Sequence, residues 1–272
     1  MSEESKVRDV VDAVTGLVKE VPIYQDLVQP AAQEVGRGLQ TVAKTVHIAL
    51  APISIMVWGY DQIKDFVSTK VADRLKNVPP ENIVTPKLSV AGPALEALRF
   101  TGGEESLSNM YANLLASAMD KTSAQGAHPA FVEIIKQLTS DEAKIVALFR
   151  LDRAFPLIDL RWEFKPNEAG HTGGITQLTN FSLLGADAGV EYPENMPAYI
   201  DNICRLGLAD VPALFAYTAP GVYDSLENSG VILSFKSKIE QNPERTAVIT
   251  RKALRVSEMG KQFSRVCVDT KN

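Results

Sequence analysis

Four residues in one stretch of the chain have the types that acid–base chemistry requires. In GAHPAFVEIIKQLTSDEAKIVALF, Gly126–Phe149, they are His128, Glu133, Asp141 and Glu142. An imidazole beside carboxylates can pass a proton near neutral pH. A second set, His171 with Glu168 in KPNEAGHTGG, sits in a Gly-rich segment whose backbone could approach a phosphate. His47, the remaining histidine, lies in an apolar run and reads as a helix-face or core residue.

Helix-end chemistry accounts for most of the first set without catalysis. Pro129 suits the first position of a helix, with His128 as its cap. Thr139 and Glu142 have the spacing of a capping box, and Asp141 and Glu142 fall in a first turn, where the helix dipole favours them. Glu133 then belongs to a solvated face of the preceding helix. The chain contains no GxxxxGK[ST], GxGxxG or HExxH, so nucleotide-loop and zinc-protease chemistry have no motif here. Cys204 and Cys267 stand far apart with no ligand-spaced neighbours, which predicts buried thiols in a reducing compartment. The expectation is a protein without catalytic residues, metal or cofactor.

The elements that carry these residues follow from periodicity. The chain has 272 residues, 45% of them hydrophobic and 22% charged, and a net charge of −5. That is globular composition, with no bulk attraction for a polyanion. In the first 80 residues, Val7, Val10, Val11, Val14, Leu17 and Val18 define one helix face, and Leu27, Val35, Leu39, Val42 and Val46 define another. Thr45–Tyr60, TVHIALAPISIMVWGY, is uncharged throughout. It is short of the roughly 20 apolar residues of a spanning helix and is interrupted by Pro52. It is expected either inside a bundle or against a bilayer, and Ile48, Leu50, Ile53, Ile55, Val57, Trp58 and Tyr60 are its candidate membrane- or partner-contacting residues. An amphipathic segment follows, with Ile63, Phe66, Val67, Val71 and Leu75 on one side. The N-terminus is charged and does not read as a secretory signal.

Residues 81–103 read as a Pro/Gly-punctuated connector with a short helical turn around Ala94–Phe100. Leu107, Met110, Tyr111, Leu114, Leu115 and Ala118 then mark a helix, and two more helices occupy the Gly126–Phe149 stretch. From there the pattern changes. LIDLRWEF alternates as a half-buried strand; PAYIDNICRLGL is a helix closed by Gly207 in the left-handed position with Leu208 folding back. Leu254 and Val256 alternate before Ser257 caps a last helix. A helix ending in LGL, extended strands, and a strand running into SEMGKQF is the rhythm of a winged helix.

The predicted fold is mainly α (α+β): a long-helix region over 1–80, a connector and helical bundle over 81–138, and a winged-helix-like domain with a small antiparallel sheet over 139–272. Its helix PAYIDNICRLGLAD carries a net −1, poorly suited to phosphates. Residues 245–272 hold seven basic residues against two acidic, a net of +5. Arg245, Arg251, Lys252, Arg255 and Lys261 are therefore the candidates for touching an acidic partner or nucleic acid, although nucleic acid is not the expected partner.

Taken together, AVTGLVKEVPIYQDLVQPAAQEVGRGLQTVAKTVHIALAPI, WGYDQIKDFV, AHPAFVEIIKQLTSDEAKIV, YIDNICRLGLA and VSEMGKQF resemble the Abi-alpha (abortive infection alpha) family of bacterial proteins. The blocks run in order over roughly residues 10–268. The resemblance implies a role in anti-phage defence and supplies no catalytic residues. The expected protein is non-enzymatic and cytoplasmic or peripheral at the inner membrane, with the inner-membrane surface, an unknown protein or phage component and a second copy of the chain as candidate partners. Its N-terminal helices would act and its C-terminal domain would sense. The alternative is a winged-helix nucleic-acid-binding regulator or sensor.

Overall fold

The computed structural model describes residues 60–151, 153–165 and 173–269, with only the backbone of Tyr60 and Asp61. All of these belong to one compact unit, Val42–Asn272. The helical expectations before Tyr60 lie outside the described residues.

The described chain is mainly helical with a few antiparallel strands. It opens with α1, Tyr60–Phe66, a π turn at Val67–Val71, and α2, Ala72–Arg74. Ile63, Val67, Val71 and Leu75 are all buried. Their four-residue spacing keeps one face inward through the turn. Next come α3, Leu88–Thr101, and α4, Glu105–Met119. The α4 stripe of Leu107, Met110, Tyr111, Leu114, Leu115 and Ala118 is buried as its spacing predicts.

The helix α3 corrects the sequence reading. Residues 88–101 are one helix with Pro93 inside it, not a connector with a short turn. Proline removes a ladder N–H and typically costs about 3 kcal/mol in a helix interior. Here Val90, Ala91, Ala94, Leu95, Ala97 and Leu98 are buried against the core. That burial, at about 25 cal/mol per Å² of apolar surface, outweighs the local penalty.

The stretch Gly126–Phe149 folds as α5, Ala130–Lys136, and α6, Ser140–Ala147. The Thr139 hydroxyl accepts from the Glu142 N–H, and the Glu142 carboxylate accepts from the Thr139 N–H at 2.7 Å. The capping box expected from the spacing is present. Beyond it, β1, Pro156–Phe164, pairs with β2, Gly174–Phe181, on one side. The helices α7, Leu184–Ala188, and α8, Met196–Arg205, follow. Gly207 has φ +73°, and Leu208 N–H donates to Ile203 O, the predicted left-handed helix end. The short strand β3, Ala209–Asp210, precedes α9, Asp224–Glu227, and α10, Gly230–Glu240. The long β4, Arg245–Ala253, pairs with β1 to give the order β2-β1-β4. Finally β5, Arg255–Val256, pairs with β3, and α11, Glu258–Phe263, leads into a second π turn, Ser264–Val268.

One core holds the helices together and runs unbroken from Ile63 to Cys267. Within it Phe131 of α5 meets Phe263 of α11 edge to face at 5.3 Å. A second cluster lies under the three-stranded sheet, where Ile158 and Leu160 pack on Tyr223, Leu226, Ile232 and Ile239.

Candidate functional site

The described candidate acid–base residues each make a local or tertiary contact. His128 is exposed, and its Nδ1 accepts the Ala130 N–H at 3.1 Å; the N-cap of α5 is Pro129, one residue later than expected. Glu133 is exposed and pairs with Lys136 at 2.9 Å. Asp141, by contrast, is buried. Its carboxylate accepts the backbone N–H groups of Glu191 at 2.9 Å and Tyr192 at 3.0 Å, the Tyr199 hydroxyl at 3.1 Å and Lys144 Nζ at 3.0 Å. Burial alone would raise the Asp141 carboxyl, but those donors outweigh it and bring the pKa down to about 2. Glu142 accepts Asn202 Nδ2 at 2.8 Å with the oxygen left free by the capping box. The first turn of α6 thus receives both the loop before α8 and α8 itself. The two carboxylates thereby clamp the start of α6 to α8 and to the loop before it.

The basic residues of the C-terminal strands are brought near one another along the chain but do not form one patch. Neighbours on a strand face opposite ways. Arg251 turns toward Tyr223 and ion-pairs with Glu227 at 2.6 Å, whereas Lys252 reaches Asp159 at 3.1 Å and Asn180 Oδ1 at 2.6 Å. Arg255 meets both carboxylate oxygens of Asp210, at 3.0 and 2.6 Å. Lys261 pairs with Glu258 one turn away at 2.6 Å. The Arg251 and Arg255 guanidinium groups hold Glu227 and Asp210 below the usual carboxylate range. Arg245 has a different environment, with its guanidinium lying 4.1 Å from the Trp162 ring centre and 5.7 Å from that of Phe164.

The sequence reading missed two features of this region. Asn180 is buried at φ +52° and donates its N–H to Asp159 at 2.8 Å, completing the Lys252 cluster. Asparagine tolerates that backbone well, so its place next to Phe181 was the available signal. Leu214, at φ +60° and fully exposed, tips a turn closed by Phe215 N–H to Pro212 O. The uncharged run Val211–Tyr223 marks that loop in the sequence.

Both thiols are free, Cys267 fully buried and Cys204 half-buried. Burial pushes Cys204 up to about 11 and Cys267 higher than an ordinary thiol, so neither is a thiolate at neutral pH. Among the described residues no group of His, Cys, Asp and Glu is arranged to hold a metal ion, and no helix is long and apolar enough to cross a membrane. Ile48, Leu50, Ile53, Ile55, Val57 and Trp58, the Tyr60 side chain, His47, Glu168 and His171 lie outside the described residues.

Comparison with known proteins adds a family. The abortive infection alpha profile matches residues 59–267, which include α4, the α6 clamp and both sheets. None of the curated proteins matches. A solved structure, that of an uncharacterized protein from the hydrocarbon-degrading marine bacterium Alcanivorax borkumensis SK2, is 20% identical, covers 54% of this chain and 97% of its own, and superposes with a TM-score of 0.33.

Proposed function

Since the chain belongs to the abortive infection alpha family, we propose that it serves phage defence as a non-enzymatic protein. Its N-terminal helices, centred on Thr45–Tyr60, act at the inner-membrane surface, and its C-terminal half binds the partner that reports infection. The observation that carries the defence role is the family match over 59–267. A non-catalytic role is supported by the bonding of Asp141 and Glu142, whose oxygens are spent on Glu191, Tyr192, Tyr199 and Asn202. The membrane element rests on the uncharged run itself.

A winged-helix plan for residues 139–272 is supported by the pairing of β3 with β5 directly after the Gly207 turn and by the Ser257 N–H bond to Leu208 O. Its use for nucleic acid is disfavoured by the internal pairing of Arg251, Lys252, Arg255 and Lys261.

Phage plaque counts on cells carrying the parent, Ile53→Asp and His128→Ala with His171→Ala test the proposal, together with dye leakage from vesicles of bacterial polar lipid. Protection lost with Ile53→Asp and kept without the two histidines is expected. Full protection by Ile53→Asp, with no leakage from the parent, would remove the membrane action. Loss of protection in the histidine variant at unchanged stability would instead mark an enzyme.

A further inference from the structure

Two π turns lie on the same helix. Val67–Val71 and Ser264–Val268 both pack on α4, one near the start of the described chain and one at its end. A π turn inserts one residue into an α ladder, and such insertions recur at functional positions. Removing the insertion returns the segment to α-helix and turns everything on its far side by about 100°.

The polar edge of α4 ties the two turns to each other. Lys70 Nζ donates to Ser108 Oγ at 2.8 Å. The Arg74 guanidinium donates to Lys70 O at 2.7 Å, to Asn109 Oδ1 at 3.1 Å and to Asn113 Oδ1. On its other side Asn113 Nδ2 donates to Cys267 O at 3.0 Å and Val268 O at 3.1 Å, while Ser117 Oγ donates to Val266 O at 3.2 Å. Those carbonyls lie at the end of a helix, where the last C=O groups need partners from outside the ladder. The orientation of the Asn113 amide is fixed by chemistry, because arginine only donates and a carbonyl only accepts. Asn113 itself is buried, at 5% exposure.

We propose that Asn113 is a latch: it couples the Val67–Val71 turn to the C-terminal turn, so that loosening one end releases the other. The Val67–Val71 turn follows α1, Tyr60–Phe66, and in the sequence the uncharged stretch Thr45–Tyr60 leads into α1. Within the turn, Asp65 O also accepts the Thr69 hydroxyl at 2.5 Å and the Ser68 hydroxyl at 3.2 Å.

Hydrogen exchange on the full chain tests the latch. Asn113→Asp keeps an acceptor for Arg74 but sets an oxygen against the Cys267 and Val268 carbonyls, so it breaks the C-terminal side alone. Arg74→Met breaks the other side and keeps the apolar stem. Each variant is expected to speed exchange about tenfold in both 67–74 and 264–269, with β1 and β4 amides unchanged. The gentler Ser117→Ala, which touches neither Arg74 nor the first turn, should speed 67–74 in the same direction. Exchange rising only on the side whose bond was broken, or rising uniformly through the sheet, would overturn the latch. Growth arrest without phage in Arg74→Met is also expected, and that arm rests on the proposed function. Coupled exchange with normal growth would keep the latch and reject the proposed N-terminal action.

Discussion

Asp141 joins the start of α6 to Glu191, Tyr192 and Tyr199 through its carboxylate. Its folded pKa of about 2 lies below the ordinary 3.8. The sign follows from linkage: the ionised form is favoured by folding, so its contribution is fully present above about pH 4 and is lost as the pH falls through about 2. Asp141→Asn keeps the shape and removes the charge, and hydrogen bonds to a charged group are worth about 1.5–3 kcal/mol. Urea titration should find the variant about 2 kcal/mol less stable than the parent at pH 7. That gap should close as the pH approaches 2, and a constant gap would refute the assignment. Thr139→Ala should cost about 1 kcal/mol with no such pH dependence, since it deletes a neutral cap. The local half of this site was legible in the sequence, because capping depends on residues three apart. The tertiary half was not: Tyr199 and Asn202 reach α6 from 58 and 60 positions away, and no spacing rule connects them.

The elements divide in the same way. Stripes such as Leu107–Ala118, and the Gly207 turn, follow from local periodicity and backbone sterics, and both are where the sequence places them. Pro93 misled because a breaker is a local cost that a buried face overrides. The strand β2 escaped notice because its pairing with β1 shifts register around Leu160, which breaks the alternation that reveals a strand. Gly260 in SEMGKQF has a role the sequence alone could not disclose. A Cβ there would stand 1.9 Å from Leu208 O, so α11 approaches the backbone just before β3 only because position 260 has no side chain. Gly260→Ala should lower the stability by more than about 3 kcal/mol, as a backbone clash in a buried contact does. Gly230→Ala, at a position with nothing within 4 Å, should change it by no more than about 1 kcal/mol. Thermal melts of the pair read the difference directly, and equal melting points would show that α11 has another way to sit.

In the folded molecule, the charge pattern of the C-terminal segment reads differently from its sequence. Counted along the chain, residues 245–272 are strongly cationic; folded, Arg251, Lys252 and Arg255 meet carboxylates from distant segments. Asp159 lies 93 positions from Lys252, Asp210 lies 45 from Arg255, and Glu227 lies 24 from Arg251. A cation already paired attracts a phosphate less, because binding must first separate the existing pair or bring a carboxylate toward the polyanion. Counterion release, the main source of DNA affinity, scales with the cations actually delivered to phosphates. The protein should therefore bind a mixed-sequence DNA duplex no more tightly than the nonspecific range of about 10⁻⁴–10⁻⁶ M at physiological salt. Replacing Arg251 and Arg255 together by glutamine should leave that affinity within about twofold, since each arginine is committed to its carboxylate. Fluorescence anisotropy at two salt concentrations decides it. Sub-micromolar binding that falls steeply with salt and disappears in the double variant would show that DNA can break these pairs, and would return the C-terminal half to the nucleic-acid reading.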